Sequence, residues 1–378
     1  MAGKRDGFSL GQRGVVKLMR DSNGEKNMLN TEYNFNYKQI KYRGHGLTFD
    51  DVLIVPCKSE VRSRRDPSLG SQLTKKIKFS TPIISANMDT VSESEMCIAM
   101  DKLGAFGILH RFMSIDEQCS QVKRIKASGA KHIGASVGVG DETKERTQKL
   151  VELGVDVITI DIAHGHSVHM IETLRWIKSQ YPSVEVIAGN IASPEAAIEL
   201  IEAGADAIKV GIGPGSMCTT RIITGCGVPQ LTAIALCSEA AEKYGVPVIA
   251  DGGSRFSGDI FKAFAAGASS VMLGSMLSGT IETPGEIKGG KKQYRGMASK
   301  DAQISWRGGV PEGMAAEGES RMISVKGHVK DVILELMGGV RSGMSYVNAT
   351  EFSEIKNNAK FIEMSSNGVR ESHAHGLS

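Results

Sequence analysis

Cys218 lies in Gly-Pro-Gly-Ser-Met-Cys-Thr-Thr-Arg, residues 213–221, among glycines and hydroxyls and with an arginine three positions on. A thiolate is a strong nucleophile, and nearby positive charge lowers a thiol's pKa. Gly211, Gly213 and Gly215 let the backbone turn tightly and present N–H groups or carbonyls to a ligand. Cys97, Cys119 and Cys237 fall on segments of helical pattern and read as buried structural residues. Asp251-Gly252-Gly253 follows an apolar run, where an acid can accept both hydroxyls of a ribose. Asp161 and Asn190 close two other runs and read as cofactor contacts. His164 and His166 are spaced by one residue in a loop and lack an evident third ligand, so loop hydrogen bonding is the better reading than metal. Glu317 sits in Ala-Ala-Glu-Gly-Glu, within the glycine-rich stretch 286–327. That stretch has little apolar periodicity and reads as a lid or binding loop.

Those groups need elements that end beside one another. Eight short apolar runs recur between residues 82 and 275: IISANM, AFGILH, HIGASVG, VITIDI, VEVIAGN, AIKVGIG, PVIADGG and SVMLGS. Each is followed by a helical pattern, such as SPEAAIELIEAG, and the repeat predicts an α/β fold, a closed parallel (β/α)8 barrel. Active sites of that fold lie at the carboxyl ends of the strands, and phosphate at the loops after strands seven and eight. Cys218 follows strand six, Asp251 ends strand seven and Gly274-Ser275 ends strand eight, with Ser216 reaching in from the cysteine loop. Residues 1–43 are polar and basic and read as an arm or tail. Residues 44–350 form the barrel with its flap, 286–327, and 351–378 a C-terminal extension. LTFDDVLIVP, 47–56, reads as a strand capping the barrel floor, and HVKDVILELMGGVRSGMSYV as the eighth barrel helix. With 45 basic and 42 acidic residues, net charge +3, the chain is too balanced for nucleic acid or a membrane surface as main partner. No apolar run reaches the ~18 residues of a membrane span, and MAGKRDGFSLGQRG lacks the apolar core of a signal peptide. Six cysteines with no Cys-x-x-Cys pair point to a reducing cytoplasm rather than to disulfides or zinc.

The stretches LTFDDVLIVP, ANMDTVSESEM, AHGHS, AGN, KVGIGPGSMCTTR, ADGG, VMLGSML and YRGM resemble the inosine monophosphate dehydrogenase / guanosine monophosphate reductase family over about residues 44–350. The resemblance implies a (β/α)8 barrel assembled as a homotetramer or octamer. It implies that Cys218 attacks purine C2 and that the backbone of Gly211, Gly213 and Cys218 holds potassium. GMP or IMP would lie against Ser216, Asp251, Gly252, Gly253, Gly274 and Ser275, with Gly296, Met297 and Gly318 at the base. Arg111, Asp161, Ile162, Ala163 and Asn190 would face the nicotinamide cofactor.

Two chemistries in this family share the covalent adduct at C2. The dehydrogenase transfers hydride from IMP to NAD and hydrolyses the adduct to XMP; the reductase expels ammonia from GMP and is reduced by NADPH. Hydrolysis uses an Arg-Tyr pair in the dehydrogenase flap, whereas here Arg307 stands between Trp306 and Gly308. Gly308-Gly309-Val310 and Ala316-Glu317-Gly318 resemble the reductase, and the regulatory cystathionine-synthase-type (CBS) pair after strand two is absent. RIITGCGVPQL, RFSGD and Gly368-Val369-Arg370-Glu371-Ser372-His373 read closer to the dehydrogenase, the last resembling a tail that completes a neighbouring subunit's potassium site. The flap holds the half-reaction that differs. The expectation is therefore an NADPH-dependent GMP reductase in which Thr220 and Glu317 handle the proton on the leaving ammonia. The alternatives are an IMP dehydrogenase lacking CBS domains and a non-catalytic purine-nucleotide-binding regulator.

Overall fold

The computed structural model describes residues 45–372 and 374, so the arm at 1–43 and His373 lie outside the described residues. Eight parallel strands close into a barrel: β1 (Ile83–Ser85), β2 (Phe106–Leu109), β3 (Gly134–Val137), β4 (Val157–Asp161), β5 (Glu185–Ile191), β6 (Ala207–Val210), β7 (Val248–Asp251) and β8 (Ser270–Leu273). Pairing of Val271 with Ile83 joins the last strand to the first. A parallel strand is covered on both faces, so it reads as a near-continuous apolar run. Ile83 and Ile84 accordingly face opposite sides and are both fully buried. Ile84, Ile108, Val157, Ile187 and Ile249 fill the barrel interior, while Ile83 and its equivalents pack against the helices.

The outer ring comprises α1 (Ser94–Lys102), α2 (Ile115–Ala127), α3 (Thr143–Glu152), α4 (Val168–Gln180), α5 (Pro194–Glu202), α6 (Gln230–Glu242), α7 (Ser257–Ala265) and α8 (Val329–Tyr346). Helix α5 illustrates why they form. Ser193 caps it by accepting the Ala196 N–H, and Pro194 occupies the first turn, where its missing N–H goes unneeded. Ala197, Leu200 and Ile201 then recur on one buried face. Burying Leu200 stabilises the fold by about 2 kcal/mol. Helix α8 packs between α7 and α1 and completes the ring, as its periodicity predicts.

The barrel floor differs from expectation. Its plug is the hairpin of Ser71–Gln72 with Lys78–Phe79, which inserts Leu73 and Ile77 under the interior layer. The Lys75 N–H donates to the Asp206 carbonyl at 3.1 Å, and Lys76 pairs with Glu185 at 3.0 Å, both where strands begin. Residues 47–56 do contain a strand, Val52–Ile54, but it pairs antiparallel with Phe361–Glu363 of the C-terminal extension. Leu47 is hydrogen-bonded in both directions to Thr232, and Phe49 packs beside Gly253. The segment therefore covers α6 and α7 towards the carboxyl ends of the strands. Its apolar residues are consumed there, with Leu231, Ile260 and Phe261, and the narrow floor needs only two side chains from a tight turn. Among the described residues, no helix is long and apolar enough to cross a membrane.

Candidate active site

The loop after β6 is fixed before it reaches the cysteine. A Cβ at Gly211 would lie 2.0 Å from the Asp251 carbonyl oxygen, so only glycine lets the ends of β6 and β7 touch. Arg221 fills the loop from inside, donating to the carbonyls of Ile212 at 3.1 Å and Val228 at 2.6 Å. Burial lowers the pKa of that guanidinium, and negative charge at Cys218 opposes the fall.

Cys218 Sγ donates to Thr220 Oγ1 at 3.1 Å, and Thr220 Oγ1 donates to Glu317 Oε2 at 2.7 Å. The line runs from thiol through hydroxyl to carboxylate, an arrangement that can take a proton from sulfur and deliver it elsewhere. Glu317 belongs to the anchored base of the flap. Its N–H donates to the Ala298 carbonyl at 3.0 Å, its own carbonyl accepts from Thr219 at 3.3 Å, and the Glu319 N–H donates to the Met217 carbonyl at 2.9 Å. Gly318 is absent from the cavity wall. It packs where a Cβ would lie 3.1 Å from both the Met217 carbonyl and the Ser299 nitrogen, so it serves close approach of the flap to the cysteine loop.

One cavity of about 540 Å³ brings together every other residue expected to act on nucleotide, cofactor or potassium, from Arg111 and Asp161 to Cys218, Asp251, Ser275, Met297 and Glu317, whereas His164 and His166 do not line it. On one side, Gly252 and Gly253 both adopt φ +88°, open to glycine, and leave backbone facing the wall. Ser216 hydrogen-bonds Tyr294 at 3.2 Å, and burial raises the Tyr294 phenol pKa. Polar N–H, hydroxyl and glycine backbone there suit a phosphate. The flap begins with β9 (Lys291–Arg295), paired with β10 (Ser320–Ser324). Its root is pinned by Arg295, which forks onto Asp89 with Nε–Oδ2 at 3.0 Å, while the Asp89 N–H donates to Met297 Sδ at 3.3 Å.

The opposite side carries Arg111 over the Phe112 ring at 4.7 Å, Phe112 edge-on to Trp306 at 5.3 Å, and Arg307 over Trp306 at 3.9 Å. Trp306 and Arg307 close the flap helix Lys300–Arg307, which ends at Gly308 in the left-handed conformation. Arg111 Nε, Trp306 Nε1 and Gln303 Oε1 are buried along this wall without a hydrogen-bond partner. Two unpaired donors and one acceptor fit a ligand carrying a carboxamide, which offers both kinds of partner.

Sequence reasoning passed over three functional candidates. Lys209, in the middle of the apolar run AIKVGIG, is 1 % exposed and bonds Asp161 and Asp251; a charge inside a buried strand was the available signal. Tyr294 stood within the quoted YRGM tract, and Gln303 carried no local signal. His166 pairs with Glu199 at 2.7 Å, and among the described residues no group of three His, Cys, Asp or Glu could hold a metal.

Residues 46–375 match the IMP dehydrogenase / GMP reductase domain. The chain is 43% identical to the inosine-5'-monophosphate dehydrogenase of Cryptosporidium parvum, covering 88% of this chain and 96% of that protein. It is 40% identical to the dehydrogenase of Borreliella burgdorferi, covering 89% and 98%. Among solved structures it is similar to a GMP reductase variant of Trypanosoma brucei in complex with guanosine 5'-monophosphate, at TM-score 0.83 and 33% identity over 88% of this chain and 98% of that one. With the barrel, the cysteine loop and these relatives in agreement, the chain belongs to the IMP dehydrogenase / GMP reductase family of nicotinamide-dependent oxidoreductases.

Proposed function

We propose that the protein is an NADPH-dependent GMP reductase, forming IMP and ammonia through a thioimidate on Cys218. The observation that carries this reading is the flap. Its arginines are Arg295, locked onto Asp89, Arg321, paired with Glu319, and Arg307, followed by a glycine rather than a tyrosine. The one tyrosine of the flap, Tyr294, is bonded to Ser216. No Arg-Tyr pair is available to activate water, whereas the Cys218–Thr220–Glu317 line is complete.

In this reading Asp251 binds the ribose and the Ser216–Tyr294 and Gly274–Ser275 side binds the phosphate. Cys218 sulfur adds to C2 of GMP as its proton passes through Thr220 to Glu317. The same pair returns a proton to the exocyclic amine, the C–N bond breaks, and ammonia leaves. Arg111, Asp161 and Gln303 would hold NADPH, which would supply the hydride to C2 as the C–S bond breaks and Cys218 leaves as thiolate. Potassium would draw on the carbonyls of Gly211, Gly213 and Cys218. The Gly211 carbonyl already accepts from Asn190 at 2.7 Å, so further oxygens are needed to complete a shell.

A second reading, IMP dehydrogenase, draws support from the names of the curated relatives and from Arg307 in the cavity wall. Quenched single turnovers with GMP and NADPH, followed by peptide mass analysis, separate them. A purine adduct on Cys218 that decays to IMP supports the reductase; XMP from IMP and NAD, with no adduct from GMP, refutes it.

A further inference from the structure

We infer that Lys209 is a positioning residue whose single buried ammonium sets both halves of the site at once, by holding Asp161 and Asp251 apart and fixing Asn190 between them. The inference rests on the assignment of Asp251 to the nucleotide and Asp161 to the cofactor. Lys209 stands on β6, and its three acceptors come from β4, β5 and β7. Nζ donates to Asp161 Oδ1 at 2.8 Å, to Asp251 Oδ2 at 2.8 Å and to Asn190 Oδ1. An ammonium has three donors, so all are used. The Asn190 oxygen is thereby committed, and its amide must turn to the Gly211 carbonyl at 2.7 Å and Asp251 Oδ2 at 2.9 Å. One cation orients three side chains at three strand ends.

Without the ammonium, two carboxylates would share this pocket with only an amide between them and Arg111 as the other cation facing Asp161. Like charges so placed force one acid to take up a proton or the pair to separate. Lys209 is buried, and its ammonium lies 2.8 Å from a carboxylate on either side. The stem runs against β5, where a Cβ at Gly189 would lie 2.6 Å from Lys209 Cβ, so the ammonium has little freedom to relocate.

The test is Lys209→Ala with added ethylammonium, read by calorimetric Kd for GMP and IMP and by KM for the cofactor. Both constants should rise about tenfold or more, with kcat changed less, because misplaced groups weaken each half-site. Ethylammonium should restore both, and choline at equal ionic strength should not. Loss of neither constant, or loss in a folded protein that ethylammonium leaves unrestored, overturns the inference. Asp161→Asn provides a second route that keeps the lysine. It should weaken nucleotide binding severalfold although Asp161 lies on the cofactor side, and an unchanged nucleotide Kd overturns the inference equally. Nucleotide binding by the unaltered protein tests the functional assignment separately, since the role of Lys209 is read from ratios between variants.

Discussion

Replacing Glu317 by Gln removes one proton-accepting oxygen and almost nothing else. The backbone of residue 317 is held at both ends, to Ala298 at 3.0 Å and Thr219 at 3.3 Å, so the isosteric side chain enters an unchanged frame. Stability should move by no more than about 0.5 kcal/mol. The carboxylate reaches the chemistry only through Thr220, at 2.7 Å, with Cys218 a further 3.1 Å along the line. Its contribution is therefore to proton transfer and not to holding the nucleotide. Losing a positioned acid–base group costs roughly 10²–10⁴ in rate, about 3–5 kcal/mol at 1.36 kcal/mol per decade. We expect kcat for GMP with NADPH to fall by that factor while KM for GMP stays within about threefold. Thr220→Val should produce a loss of similar size. The double variant should fall little further than either single, because residues acting as one unit are non-additive. Steady-state absorbance at 340 nm measures all of these. A Glu317→Gln enzyme within threefold of the unaltered rate, or a double loss equal to the product of the single losses, refutes the relay.

Cys218→Ala should abolish turnover while leaving GMP binding, by calorimetry, within about tenfold, because the proposed ribose and phosphate contacts lie elsewhere on the wall; binding lost together with turnover would contradict this. Asp89→Asn breaks the fork that pins the flap root. It should destabilise the protein by about 1–3 kcal/mol and raise KM for the nucleotide through Met297, and unchanged thermal unfolding and KM would show the pin to be unimportant. Asp161 sits below its ordinary pKa of 3.8; burial alone would raise it, and Lys209 and Arg111 overcome that effect. Its stabilisation is thus complete above the unfolded value and is lost as pH falls through the lower folded one. Asp161→Asn should consequently flatten the acid limb of unfolding temperature below about pH 4, and an identical limb in both proteins would argue against the paired carboxylate.

What could be read from the residues follows what local pattern encodes. Strands buried on both faces advertise themselves as runs such as VITIDI and PVIADGG, and α8 as a clear helical stripe. Cys218 and Asp251 were visible because they stand beside glycines at the ends of such runs. The floor was misplaced because LTFDDVLIVP is the more apolar segment, whereas the plug needs only Leu73 and Ile77 on a polar hairpin. Lys209 could not be assigned a role, since its partners converge from three other strands only when the barrel closes. The edge-on contact of Phe112 with Trp306 joins the flap to the loop after β2, and no spacing along the chain encodes that contact.

The central claim is tested most directly by following absorbance at 340 nm in two mixtures with potassium present, GMP with NADPH and IMP with NAD. The account predicts loss of absorbance in the first, with ammonia and IMP formed one for one, and no XMP in the second. Gain of absorbance in the second, with XMP as product and the first silent, would contradict it and direct attention to Arg307 as the group that activates water.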